Sequence, residues 1–259
     1  MLNQKDIDQF KVKIAETNSI VIALPPDPSD DLLAAGLGLF LALKQKKKNI
    51  HIGCSSAPKV SSARLFGIDQ ITDSIGSKNM VIILDFSEEK LEKIDYNAAD
   101  GGKKIELHII PRAGEVPPTG DQIHINFAGA KADLIITLGV NSLEELGKLY
   151  AAEKDFFDST PVVSITQNLQ PDTFATININ NPYATGFSEL TAYLLKQSNI
   201  IPENDSATNL LSFMVKQSDH FSSPKTTPEL LETAAFLMRQ IKQQPASSQH
   251  QQLYTKTTD

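Results

Sequence analysis

A surplus of basic charge is missing from this sequence. Its 24 Lys and Arg face 31 Asp and Glu, for a formal net charge of −7 and a pI near 5.3. That removes the overall electropositive footprint needed to hold long duplex DNA. Cysteine is almost absent as well. Cys54 stands alone, so neither an internal disulfide nor a thiolate metal cluster can form. It closes NIHIGC, a strand-like stretch, and is expected to be a buried, inert thiol. Long apolar runs are lacking too: the longest, Leu32 to Leu43, has 12 residues, whereas crossing a bilayer takes about 20. The polar, helix-like N-terminal stretch MLNQKDIDQFKVKIAETNS has no apolar signal core. A soluble, cytoplasmic protein with no membrane partner is the expectation. GxxxxGK[ST], HExxH, GxSxG and CxxC do not occur, nor does any repeat of fixed period.

What is present suits a sizeable core. The 259 residues are 41% hydrophobic, enough for one large domain or two small ones. Residues 4–16 read as an amphipathic helix with Ile7, Phe10, Val12 and Ile14 on one side. SIVIAL (19–24), NIHIGC (49–54), MVIILDF (80–86), ADLIITLGV (132–140) and TPVVSIT (160–166) read as strands, most of them buried on both faces. Helices are predicted after the turn of PPDPSDDLLAAGLGLFLALK (25–44), ending in KQKKK, at 61–68, after residue 141 in SLEELGKLYAAE, and at 184–197, 204–216 and 227–242. KKIELHIIP (103–111) and DQIHINF (121–127) alternate apolar and polar residues around the turn-rich RAGEVPPTG, which reads as an inserted hairpin. The fold class is therefore α/β: a mostly parallel sheet with helices on both faces, plus an antiparallel β-hairpin. One domain over 1–242 is expected, with 80–130 as a β insertion and 243–259 as a disordered polar tail.

Parallel sheets bind ligands beyond the carboxyl ends of their strands, so the turns after residues 24, 85, 139 and 166 are where chemistry belongs. In PPDPSDDLLAAGLGLFLALK, residues 25–44, the first of these turns carries Asp27, Asp30 and Asp31. Clustered carboxylates there suit Mg²⁺ or Mn²⁺. They equally suit a helix start, with Ser29 or Asp30 as cap and the other acids favouring the helix dipole. Gly36 and Gly38 lie within the helix and lack a third glycine, so close packing is expected there instead of a dinucleotide loop. Asp85 ends a strand and is either a ligand or the start of a turn. His51, His108 and His124 sit on alternating strand faces and are expected to face solvent.

The order of segments resembles the DHH (Asp-His-His) phosphoesterases, manganese-dependent enzymes acting on short oligonucleotides and nucleoside phosphates. The likeness runs from about Ile20 to Ile241. It is clearest in NINNPYATGFSELTAYLLK and in DSATNLLSFMVKQSDHFSSPKTTPELLETAAFLM, and extends to FGIDQI and ADLIITLGVNSLEELG. Aligning the family's metal-binding motifs to this chain sets Pro25 at the first histidine, Ser29 at the first aspartate and Asp31 at the second. It sets Gly139 at the ligand aspartate of the second motif. Thr166, Gln167 and Asn168 stand at the Asp-His-His signature itself, and Gln217 at the last ligand. Placing the second motif at Asp85 instead is the alternative, but the spacing downstream favours Gly139. The family's C-terminal substrate-binding domain is not expected, because only one more helix and a polar tail follow.

The resemblance implies an α/β phosphoesterase fold with its ligand set dismantled. Two manganese ions clamp the attacking and leaving oxygens and generate a hydroxide. Thr, Gln, Asn and Gly lack the charge to hold two dications. No catalytic residue and no cofactor are therefore expected, and a cleft of neutral polar groups is left for a nucleotide, a short single-stranded RNA or a partner protein. The alternative keeps a phosphoesterase with a reduced, re-sited Mn²⁺ on Asp27, Asp30, Asp31, Asp85, Asp219 or His220, with Asp31 and Asp85 foremost.

Overall fold

The computed structural model describes residues 2–46, 48–57, 64–75, 80–127, 131–170 and 172–241. They fall into two compact units, one within 1–75 and 130–259 and the other within 76–129. The expected tail, 243–259, lies outside the described residues, as do 61–63 of the helix predicted at 61–68.

The larger unit is built on a six-stranded, wholly parallel sheet among the described residues. Its strands are β1 (Ser19–Leu24), β2 (Asn49–Cys54), β3 (Ile71–Thr72), β8 (Leu134–Leu138), β9 (Val162–Thr166) and β10 (Ile177–Asn180). The spatial order is β10-β9-β8-β1-β2-β3. From β1 the chain proceeds to β2 on one side and, later, from β8 outward on the other. The ends of β1 and β8 thus meet at the switch point, where such sheets open a crevice.

Alternation along the strands feeds two cores. Ile20, Ile22, Leu24, Leu134, Ile136 and Leu138 point to the face covered by α1 (Gln4–Glu16), α2 (Asp30–Lys44), α5 (Phe187–Gln197), α6 (Asn204–Gln217) and α7 (Pro228–Met238). Val21, Ala23, Ile135 and Val162 point to the other, covered by α3 (Lys148–Ala152) and α4 (Lys154–Ser159). Because the first of these helical layers covers α2 on nearly all sides, α2 can be almost uniformly apolar. The two glycines within α2 permit close approach. A Cβ on Gly36 would lie 3.0 Å from Leu24, and one on Gly38 2.6 Å from Leu210 of α6. Cys54 is buried, as expected. No helix among the described residues is long and apolar enough to cross a membrane.

Several expectations are corrected. Val12 is 56% exposed, off the face shared by Ile7, Phe10 and Ile14. The described part of 61–68 is a turn leading into a 3-10 turn at Ile68–Gln70, set by Gly67 at φ 79°. SLEELGKLYAAE is broken, because Gly147 at φ 61° separates a 3-10 turn, Leu143–Leu146, from α3. The edge strand β10 was missed: only Ile177 and Ile179 of ININ are apolar.

The smaller unit also differs from its expected pairing. It contains β4 (Met80–Leu84), β5 (Leu91–Ala99), β6 (Lys104–Pro111) and β7 (Ile123–Phe127). β6 pairs with β5, and β7 with β4, both antiparallel. The tight turn sits at Asp100–Gly102, all three at positive φ, a stronger hairpin signal than RAGEVPPTG. β4 is not a buried strand, since Ile82 and Ile83 are 36% and 41% exposed. His51, His108 and His124 face solvent.

Candidate functional site

At the switch point the acidic turn becomes a helix start. Ser29 caps α2, its Oγ accepting from the amide of Leu32 at 3.2 Å. Asp27 is exposed at φ 50°, with its amide donating to Ser56 Oγ. Asp30 faces Lys216 Nζ at 3.9 Å. Pro25 is half-buried, and its carbonyl accepts from Cys54 Sγ. The three acids therefore do not converge.

Asp31 has a different task. It is 4% exposed and reaches across to the first turn of α5. The amide of Phe187 donates to one carboxylate oxygen at 2.6 Å, and that of Ser188 to the other at 3.2 Å. The Ser188 hydroxyl donates to the Asp31 carbonyl. An anion at a helix N-terminus is favoured both by the unpaired amides and by the dipole. Asp31 is in effect the cap that α5 lacks from its own sequence, since Gly186 has no side chain to supply one. A Cβ on Gly186 would lie 2.6 Å from the Asp31 carboxylate and 3.2 Å from Gln217 Cγ, so glycine is what admits the contact.

Gly139 ends β8 beside this joint. Its φ is 68°, and a Cβ there would lie 2.9 Å from Leu32 and 3.2 Å from the Phe187 ring. The space into which a carboxylate at 139 would project is occupied by those two side chains. Asp31, Gly139 and Gln217 are thus brought together, around Leu32, Gly186 and Phe187. Phe213 packs against the core and carries Lys216 over its ring.

The three positions that the sequence resemblance sets at an Asp-His-His signature turn to their own chain. Thr166 is buried, and its hydroxyl lies 3.4 Å from an Asp172 carboxylate oxygen. Asn168 donates to the other at 3.0 Å, and Gln167 to the Ala184 carbonyl at 2.8 Å. Asp172 organises this loop. Nine per cent exposed, it also accepts from the Ser164 hydroxyl at 2.5 Å, while its amide donates to Asn178. Sequence reading missed Asp172. The only signal was one acid within a Gln- and Asn-rich stretch.

The remaining metal candidates lie elsewhere. Asp85 belongs to the smaller unit, exposed and 3.0 Å from His124. Asp219 and His220, both exposed, form the turn that closes α6, where residues 219–221 all have positive φ. Among the described residues, no three His, Cys, Asp or Glu side chains are grouped so as to hold a metal ion. A two-manganese centre therefore does not fit the donors present: the one aspartate retained has both oxygens on backbone amides, and the place of a second is packed with hydrocarbon.

Next to the signature positions is a pocket whose lining includes Asn181, Tyr183, Glu189, Leu190, Tyr193 and Glu229. Two carboxylates and no Lys or Arg border it, which disfavours a phosphate group.

No family model and no curated protein matches the sequence. Among solved structures, an exopolyphosphatase-related protein from Bacteroides fragilis matches with a TM-score of 0.62 at 18% identity. The fold is shared. The match covers 93% of this chain and 58% of that protein, so the chain spans little more than half its length. The likeness is one of architecture.

Proposed function

We propose that this chain is a recognition protein that retains a phosphoesterase fold without two-metal hydrolysis, and that its partner is another protein. The observation that carries this reading is the seating of Asp31. The family's chemistry would use this carboxylate on a metal; here it is spent on holding α2 to α5. Gly139, overhung by Leu32 and Phe187, supports the same reading. A nucleotide or short RNA is disfavoured because Thr166, Gln167 and Asn168 direct their polar groups inward and the neighbouring pocket is acidic. A re-sited metal would need donors that converge, and Asp27, Asp30, Asp31, Asp85, Asp219 and His220 form no such group among the described residues.

Hydrolysis assays test the reading: inorganic polyphosphate, short oligoribonucleotides and bis-(p-nitrophenyl) phosphate, each with excess Mn²⁺. No turnover above buffer is expected. Turnover that disappears in Asp31→Asn while the variant stays folded would overturn it.

A further inference from the structure

Two-stranded ribbons are marginal in water unless a face is covered. The ribbon β5–β6 sorts its side chains by face, because directly paired residues lie on the same side. Ile94 pairs with Ile109, Tyr96 with Leu107 and Ala98 with Ile105, so all six share one face. The opposite face holds the pairs Asp95 with His108, Asn97 with Glu106, Ala99 with Lys104 and Lys93 with Ile110. This amphipathic pattern belongs to a sheet with a covered side. Yet Ile94 is 52% exposed, Tyr96 70%, Ile105 77% and Leu107 45%.

We propose that this face binds the same face of a second copy of the chain, the two ribbons stacked about a twofold axis with their polar faces outward. Three considerations select a second copy. The first is area. With a full side-chain area on the order of 150 Å² for each of the four residues, their open fractions sum to about 370 Å² per chain. That is at the size where a monomer's largest apolar patch marks an interaction site. Two facing copies would bury about 730 Å² from these residues alone, with Ile109, Ala98 and the polar edge bringing the total toward the roughly 1,200 Å² of a stable specific interface.

The second consideration is shape. A pleated apolar face stacks on another at a spacing of about 10 Å, as in any two-layer β structure. A twofold axis makes the face its own complement. The third is charge. Residues 91–111 carry three lysines and four acids, a balanced rim that suits an identical rim and lacks the basic bias of an anionic-membrane surface. The proposal rests on the ribbon alone and does not depend on how the cleft is read.

Sedimentation velocity on the full chain, from low micromolar to near-millimolar concentration, is the test. A monomer–dimer equilibrium is expected. Ile105→Glu places two buried carboxylates in the interface by symmetry, and is expected to raise the dissociation constant at least tenfold. Asn97→Asp, on the opposite face, should leave it unchanged. If Ile105→Glu fails to fold, Tyr96→Thr, which keeps a strand-favouring residue, should give the same weakening. A monomer at every concentration would overturn the proposal, as would a dimer of wild-type affinity in both apolar-face variants. A monomer that instead pellets with phosphatidylcholine vesicles would also overturn it, and would assign the face to lipid.

Discussion

Replacing Asp31 by alanine separates the two roles that this position can have, because they differ in the sign of the effect on stability. In the fold described here its carboxylate accepts from the amides of Phe187 and Ser188, 4% exposed, at the start of an 11-residue helix. A hydrogen bond to a charged group is worth about 1.5–3 kcal/mol net, and loss of a helix cap costs about 0.5–2 kcal/mol. The two bonds share one desolvated carboxylate, so they do not add in full; about 2–4 kcal/mol is expected for Asp31→Ala. For a domain of this size each kcal/mol lowers Tm by about 2–4 °C, which makes a drop of roughly 4–16 °C. Asp31→Asn keeps one acceptor and should fall about half as far. Were Asp31 instead a metal ligand, the metal-stripped protein would hold a buried carboxylate without its cation, and removal would be neutral or stabilising. Thermal unfolding followed by far-UV circular dichroism in chelator reads the difference. A Tm unchanged or raised in Asp31→Ala would refute the capping role.

Asp172→Ala leaves the buried Ser164 hydroxyl and the Asn168 amide without their acceptor, and should lower stability in urea by about 2–4 kcal/mol with the m-value unchanged. Gly38→Ala gains up to about 1 kcal/mol of helix propensity but drives a methyl to 2.6 Å from Leu210; overpacking costs about 1–3 kcal/mol, so net destabilisation is expected in the same assay. The hydrogen bond from Lys154 at 2.5 Å, and then that from Tyr150 at 2.9 Å, hold the Asp158 carboxyl below its ordinary value. Its folded pKa is depressed, so its contribution is fully present above about pH 4 and is lost as pH falls through the folded value. Carboxyl NMR should place its midpoint below the ordinary aspartate value, and Lys154→Met should bring it back up.

How far the sequence could be read depends on where each residue's constraint originates. The buried parallel strands were legible because SIVIAL and LIITL are continuous apolar runs that only a sheet covered on both faces accepts. The cap at Ser29 and the close packing at Gly36 and Gly38 were legible because local rules decide them. β10 was not, because an edge strand needs only alternate apolar residues, and ININ presents two. The pairing of the smaller unit was misread because RAGEVPPTG is longer and richer in proline, whereas Asp100–Gly101–Gly102 forms the tight turn that sets register. That Asp31 stands at an aspartate of the resembled motif was visible in the sequence. Its partners, 156 and 157 residues away, were not, since no local pattern announces a cap donated from another helix. Asp172 escaped notice for the same reason: its importance lies in four polar neighbours gathered from β9, β10 and the loop between them.

On the proposed reading, the place where the resembled phosphoesterases hold metal is here a joint between α2 and α5. Calorimetric titration of Mn²⁺ into the metal-stripped chain tests it most directly. No saturable binding heat up to millimolar metal is predicted, in the wild type and in Asp31→Ala alike. One Mn²⁺ bound per chain with micromolar affinity, and lost in Asp31→Ala, would contradict it.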